Sequence, residues 1–474
     1  MVQVTVRAIA GGSKSLDDDA LVDLRACVRG EVMSPGDSDY DESRRIWNAM
    51  IDRRPGLIAR CTGTADVMQA VRWARKHDLL VSVRGAGHNI AGNSIHDGAM
   101  LIDLSKMRTV RVDPAARIAV AGPGATLGDV DHETQAYGLA VPTGINSTTG
   151  IGGLTLGGGF GWLSRSHGLT IDNLVAAEVV TAAGDSLYCS ENENADLFWA
   201  TRGGGGNFGI VTSFEFKLHP VGPEVMSGPI VFPFDEAKHV LRGYREFCKS
   251  SPNELTVWAV LRGAPPLPFL APEVHGKDVL ILAALYNGPM DDGAKAMEPL
   301  RKLGDPIADA FGPHPFAGFQ QAFDPLLTPG LRNYWKSHNF TELSDDLLDK
   351  LVENAATLPS PHSEIFIAQM GGATNRVASD ATAYPHRDVE FVMNVHTRWE
   401  KPEEDDRCVA WARQFYEATE PFATGGVYVN FVSEGEERVA DAYGSNYARL
   451  AKAKTQYDPE NFFRLNQNIA PAAS

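Results

Sequence analysis

Three things are scarce in this 474-residue chain, and each scarcity excludes a class of protein. Cysteine occupies five positions (Cys27, Cys61, Cys189, Cys248 and Cys408), far apart and with no Cys-x-x-Cys, so neither a zinc site nor a dense disulfide framework is expected. No stretch approaches the ~18 consecutive apolar residues of a membrane helix. The opening stretch, MVQVTVR, lacks the basic region, apolar block and cleavage site of a signal peptide. Basic residues are outnumbered, 43 Lys+Arg against 60 Asp+Glu, for a formal charge of −17, whereas phosphate binding needs a basic surface. These absences lead to the expectation of a cytoplasmic protein with no membrane and no nucleic-acid partner. The acidic runs Asp17–Asp19 and Glu403–Asp406 are short and read as solvated faces or helix starts.

What is present is apolar residue and glycine. At 43% hydrophobic and 9% aromatic the chain can bury a large core, and roughly 150 residues per domain allows about three domains or two large ones. Of the 46 glycines, eight fall between Gly144 and Gly161 and five between Gly203 and Gly209. A third group sits in Arg84-Gly85-Ala86-Gly87-His88-Asn89. Glycine clusters where backbone must approach something closely or take positive φ, so three clusters in one half of the chain point to a shared ligand. Gly204-x-Gly206-x-x-Gly209 formally matches the dinucleotide fingerprint, but that motif needs a strand before it and a helix after it. Here 195–201 (ADLFWAT) reads as helix and 210–218 (IVTSFEFKL) alternates as strand, so the familiar nucleotide fold is rejected. Phosphate-loop, Gly-x-Ser-x-Gly and His-Glu-x-x-His motifs are also missing.

Short α and β pieces alternate as far as about Leu218. They include a helix capped at Thr64, strands at 80–83, 99–104 and 116–121, and a helix from Thr126 to near Gly138. From about Val221 to Thr424 the glycine clusters vanish. Strand-like runs at 256–261, 279–286, 364–370 and 389–395 alternate there with longer helices, one of which puts Cys408, Trp411, Ala412 and Phe415 on one face. A run at 427–432 and a helix to about Lys454 follow. The reading is α+β: a first domain (1–219), an inserted second domain (220–424), and a C-terminal return to the first (425–474).

Four blocks together resemble the FAD-linked oxidases of the vanillyl-alcohol oxidase superfamily, berberine bridge enzyme-like group. They are Val83–Asn89 (VRGAGHN), Gly150–Asn173 (GIGGLTLGGGFGWLSRSHGLTIDN), Arg202–Val211 (RGGGGNFGIV) and Tyr457–Ile469 (YDPENFFRLNQNI). The resemblance spans essentially the whole chain and implies an FAD domain built from both ends, with an inserted substrate domain of antiparallel sheet and helices. Carried over residue by residue, it implies cofactor contacts at Arg84, Gly85, Ala86, Gly87, His88 and Asn89 in the first block. Further contacts are implied at Thr149, Gly150, Gly153, Gly158, Gly159, Gly161, Asp172 and Asn173, at Gly209, Ile210 and Val211, and at Asn466 and Asn468. Backbone N–H groups in glycine turns can cradle a pyrophosphate without a cationic side chain. His88 occupies the position of the 8α-histidyl link to FAD. Relatives with a second link carry a cysteine where this chain has Asn146, so a single covalent bond through His88 is expected.

The resemblance also implies an oxidoreductase that moves a hydride from an alcohol or amine carbon of a small-molecule substrate to the flavin. O2 is the expected acceptor; a dehydrogenase using another acceptor is an alternative that Thr149 does not decide, and a non-catalytic flavin-binding protein is a further one. The family's Tyr-x-Asn context places the base at Tyr428, followed by Asn430, with Phe431 where some relatives have a second tyrosine. A free tyrosine has a pKa of about 10 and needs a cation to act as a base near neutrality. The run 333–339 (NYWKSHN) reads as a strand with Tyr334, Lys336 and His338 on one face. Lys336 is the expected cation, with His338 in reserve, and Tyr334, His338, Gln369 and His396 are expected in the substrate pocket.

Overall fold

The computed structural model describes residues 4–433 and 439–472. Among them, three sheets of four or more strands carry an α+β architecture. In the first, Leu57–Arg60, Met100–Asp103 and Val81–Arg84 run parallel, with Glu31–Met33 antiparallel at one edge. The helix Thr64–Lys76 lays Val67, Ala70, Val71 and Ala74 in a core with Leu57, Ala59, Met100 and Ile102, the i, i+3, i+4, i+7 spacing of one helical face. Its N-cap is Gly63 and not the expected Thr64.

A second sheet is antiparallel throughout, in the order Ser186–Ser190, Leu174–Val180, Ile210–Lys217, Ile118–Ala121, Val110–Asp113. The helix Ala195–Thr201 precedes the strand Ile210–Lys217, with the 203–209 glycine turn between them, the reverse of a dinucleotide fingerprint. The helix after Thr126 forms as Leu127–Gln135, closed by a capping box between Thr126 and Asp129.

The third sheet has eight strands, all antiparallel. Its order is Ala308–Asp309, Glu224–Pro233, Asp278–Tyr286, Leu255–Gly263, Glu364–Gln369, Phe391–Trp399, Arg332–Phe340, with Gly312–Pro315 also paired to Glu224–Pro233. The two-residue period sorts its side chains. Val257, Ala259, Ile365, Ile367, Met393 and Val395 meet the helices Ala237–Cys248, Asp345–Ala355 and Asp405–Thr419 on one side. Trp258, Phe366, Ala368 and Val392 meet Phe160, Trp162 and Leu163 of the glycine-rich segment on the other.

Beyond the helix Asp405–Thr419 the chain turns back. Val427, Val429, Tyr443, Leu450 and Ile469 share a core with Ala119, Trp199 and Phe214. The run 427–432, expected as a strand, pairs with none; Val429–Phe431 is a 3-10 turn. Its polar groups are taken up by the glycine segment instead, since Gly159 N–H donates to Tyr428 Oη and Asn430 Nδ2 donates to Leu154 O. The expected helix is present as Val439–Tyr443 and Tyr447–Tyr457. Residues 434–438 of that stretch, and Met1–Gln3 of the opening one, lie outside the described residues.

A buried ion pair pins the returning segment. Lys454 and Asp458 have no side-chain exposure and lie 2.7 Å apart. Lys454 Nζ also donates to the carbonyls of Asn207 (2.7 Å) and Phe463 (2.9 Å), and Asp458 accepts the N–H groups of Phe462 (2.7 Å) and Phe463 (2.9 Å). All three ammonium protons are therefore used, and the C-terminal loop is tied to the 205–207 glycine turn. Lys454→Met leaves the buried carboxylate without its cation and should cost about 3–5 kcal/mol, read as a lower urea midpoint. Lys454→Met with Asp458→Leu should recover part of that loss, and equal midpoints for the single variant and the parent protein would show the pair to be dispensable.

Candidate active site

A cavity of 340 Å³ lies between the glycine-rich loops and the second face of the eight-stranded sheet. The loops contribute Gly85–Asn89, Thr149, Gly150, Gly153 and Gly209–Val211; the sheet contributes Trp258, Trp335, Glu364, Phe366, Asn394 and His396; the returning segment contributes Tyr428–Phe431 and Asn466. A Cβ added at Gly153 would meet nothing within 4 Å, and one at Gly206 only Asn466 Nδ2 at 3.8 Å. Both glycines line the cavity, so side chains there would fill it. Gly87 and Gly205 hold φ of +76° and +72°, a region that favours glycine. Asn466 Oδ1 is buried and takes no hydrogen bond among the described residues. A long cradle of backbone with few charges suits a dinucleotide held through N–H groups, and the residues present therefore fit FAD.

Several expected cofactor contacts brace this cradle from behind. Arg84 is buried against Asp103 (Nη2 to Oδ2, 2.7 Å) and donates to Arg45 O, so it anchors the loop and does not line the cavity. Gly158 and Gly159 back onto Tyr428 and Thr170, and Gly161 abuts the Thr143 carbonyl. Asp172 is held in a two-pronged pair with Arg387, both contacts 2.8 Å. Asn173 joins the carbonyls of His167 and Leu169 to the His219 ring. Asn468 is off the wall as well, its Oδ1 buried.

His88 is held by its neighbours in one tautomer. Thr148 N–H donates to Asn146 Oδ1 (3.0 Å), which makes that atom the acceptor, and Thr148 Oγ1 donates to the same oxygen (2.7 Å). With its proton spent, Thr148 Oγ1 can only accept from His88 Nε2, 3.0 Å away. Nδ1 thus keeps its lone pair. Trp47 stacks on the ring at 5.1 Å. Burial, and then the charge of Arg398, hold the imidazole well below the usual histidine range, so it is neutral near pH 7.

On the strand Arg332–Phe340 the expected face is the wrong one. Trp335 lines the cavity, while Tyr334, Lys336 and His338 face the helix Asp405–Thr419. Tyr334 Oη accepts from Arg413 Nε (3.2 Å), Lys336 Nζ lies 4.9 Å from the centre of the Tyr416 ring, and His338 stacks on Tyr416 at 4.0 Å. Gln369 is also on that side, accepting from Val257 N and donating to Ser251 Oγ. Lys336 is thus separated from Tyr428 by the thickness of the sheet. Tyr428 itself lines the cavity, but its oxygen accepts from Gly159 N (2.9 Å) and Asn430 Nδ2 (3.0 Å), and burial pushes its pKa up to about 12. It is a phenol with a proton to donate.

The group that sequence reasoning missed is Glu364, beside His396. Glu364 Oε1 lies 3.1 Å from His396 Nδ1, and Oε2 takes Arg262 Nη1. Burial alone would raise the carboxyl; Arg262, then His396 and Arg398, outweigh it and hold it down at about 2. His396 is lowered from its ordinary value, by burial first, against the opposing pull of Glu364. The neutral ring donates Nδ1–H to Glu364, and Nε2 is buried with no partner among the described residues. A carboxylate, a neutral imidazole and a bare nitrogen on a cavity wall form an oriented proton acceptor.

Family models match at both ends of the chain: an FAD binding domain over residues 55–190 and the berberine and berberine-like domain over residues 427–470. (R)-6-hydroxynicotine oxidase of Paenarthrobacter nicotinovorans is 32% identical over 94% of this chain and 98% of its own length. Xylooligosaccharide oxidase of Thermothelomyces thermophilus is 30% identical over 99% and 98%. Among solved structures, 6-hydroxy-D-nicotine oxidase from Arthrobacter nicotinovorans superposes with a TM-score of 0.82 at 29% identity, covering 94% of this chain and 98% of that one. Berberine bridge enzyme from Eschscholzia californica has the same fold, with a TM-score of 0.85 over 96% and 100% at 24% identity. The chain belongs to the berberine bridge enzyme-like family of FAD-linked oxidoreductases.

Proposed function

We propose that this FAD-dependent oxidoreductase oxidises an alcohol or amine carbon of a small molecule, with His396 as the proton acceptor and O2 as the final electron acceptor. FAD, when bound, supplies the hydride acceptor. The observation that carries the reading is the Glu364–His396 pair on the cavity wall. His396 Nε2 takes the substrate's hydroxyl or ammonium proton. Glu364 holds the ring in the tautomer that leaves Nε2 bare, and it stabilises the imidazolium that results. Tyr428, whose oxygen already accepts two hydrogen bonds, donates its own proton to a substrate oxygen. Trp258, Trp335 and Phe366 keep water from the wall and so strengthen these contacts. The relatives are named for a hydroxynicotine and for xylooligosaccharides, which keeps both amine and carbinol carbons within the reading.

The cofactor is held, on this proposal, by the Gly85–Asn89, Thr149–Gly153 and Gly209–Val211 segments with Asn466, and by one covalent bond from His88 Nδ1. The supporting observation is the Asn146–Thr148 relay, which occupies Nε2 and leaves Nδ1 as the nucleophile. Acid precipitation should carry the yellow colour into the pellet. His88→Ala should release it to the supernatant, and Thr148→Val should lower the covalently bound fraction. Colour that stays with the His88→Ala pellet would put the link on another residue.

His396→Ala should slow flavin reduction by about 10²–10⁴-fold, the usual range for a lost general base, and Tyr428→Phe should cost less; the reverse order in stopped-flow traces would return the base to Tyr428. The basic form of His396 is the neutral one, and its pKa lies below the ordinary value of about 6.5. The reduction rate should therefore be flat at and above neutrality and fall only on acidification below that value. Hydrogen peroxide formed in step with substrate consumption checks O2 as the acceptor; turnover only with an added dye would favour a dehydrogenase.

A further inference from the structure

A second cavity, of 400 Å³, adjoins the first on the same face of the sheet, and the two share Ile145, Trp258, Leu327, Glu364 and Phe366 as wall residues. That volume is within the range of about 300–1,000 Å³ typical of small-molecule pockets. Its remaining walls are mainly aromatic and aliphatic, with Trp162, Leu270, Phe319 and Phe323 among them. Its charged pair, Arg262 and Glu364, is mutually neutralised. Trp162 and Trp258 are 1% and 3% exposed and the indole nitrogen of each is buried, so these two side chains offer the cavity ring surface and not a donor. A sugar would need many polar partners to satisfy its hydroxyls, and walls of this composition offer few.

Resting on the reading of the first cavity given above, we infer that the substrate is an alcohol or amine carried on a largely apolar body, which occupies the second cavity. Glu364 stands on both walls, so a molecule seated this way passes the His396 proton acceptor at the junction. The oxidisable carbon then lies on the flavin side and the apolar body behind Trp258 and Phe366. This geometry selects against oligosaccharides and in favour of arylalkyl alcohols or amines.

The test uses the flavin-loaded enzyme and two kinds of probe. 4-Phenyl-2-butanone, an apolar ketone with no carbinol to oxidise, reports binding through perturbation of the flavin spectrum and quenching of tryptophan fluorescence. It should bind, and Ala283→Leu, which narrows the second cavity from the sheet side, should weaken it tenfold or more with the flavin spectrum retained. Ala322→Trp does the same from the exposed rim, where folding is not at stake. Binding that is absent, or unchanged in both variants, overturns the inference. 4-Phenyl-1-butanol and xylobiose then report turnover: bleaching by the aryl alcohol with KM raised in the two variants supports the inference, and bleaching by xylobiose alone overturns it. If the ketone binds and the variants weaken it while no alcohol or amine bleaches the flavin, the pocket assignment stands and the proposed activity fails.

Discussion

A sheet buried on both faces gives each strand residue only two directions, and Glu364 and His396 stand on the cavity because of that choice. In the strand Glu364–Gln369, Ile365 and Ile367 enter the helix-covered core, which leaves Glu364 and Phe366 on the cavity. In Phe391–Trp399, Met393 and Val395 go to the helices and Asn394 and His396 to the cavity. The antiparallel register sets Glu364 opposite His396, so the pair is a cross-strand contact that the ladder itself fixes. A slip of one residue would bring Ile365 and Val395 to the wall and remove both groups together. The hydrophobic pattern that folds the sheet is thus the same pattern that protects the chemistry.

Burying a carboxylate among aromatic rings is costly unless cations and hydrogen bonds compensate it. Glu364 has both, from Arg262 and His396. Arg398, fully buried and lying 5.2 Å from the Trp47 ring, adds positive charge near two imidazoles at once. It lowers His88 and His396 alike. Each ring is neutral near pH 7 with one nitrogen engaged, His88 by Thr148 and His396 by Glu364. One buried guanidinium therefore biases both the proposed attachment point and the proposed base toward the form in which a lone pair is available.

The glycine clusters were legible in the sequence because positive φ and close approach leave glycine as nearly the only choice. Gly87, Gly205 and Gly209 all hold positive φ on the cavity wall. Helix Leu127–Gln135 and the helix-before-strand order around the 203–209 turn were legible for similar local reasons. The face of the strand Arg332–Phe340 was not. Its residues, RNYWKSHNF, carry polar and aromatic groups at both parities, so alternation alone cannot tell which side meets helices. Packing against Asp405–Thr419 decides it, taking Tyr334, Lys336 and His338. Glu364 was hidden for the opposite reason: a lone carboxylate at the start of an apolar run looks like a solvated strand end until Arg262 and His396, 102 and 32 residues away, close around it.

Asn146, at the position where a second covalent link would call for cysteine, acts on the same loop in a different way. A thiol at that position could hold the cofactor directly, which an amide cannot do. The amide oxygen instead accepts two hydrogen bonds from Thr148. Those bonds fix the direction of the threonine hydroxyl, and that direction in turn fixes the protonated nitrogen of His88. A hydroxyl free to rotate would accept from Nε2–H or donate to bare Nε2 with similar ease, leaving the imidazole split between two tautomers. With one partner dictating the proton's place, the whole histidine population has Nδ1 bare. In the proposed linkage the amide thus orients the single point of attachment, and the neutral state imposed by burial and Arg398 keeps that orientation across the physiological range.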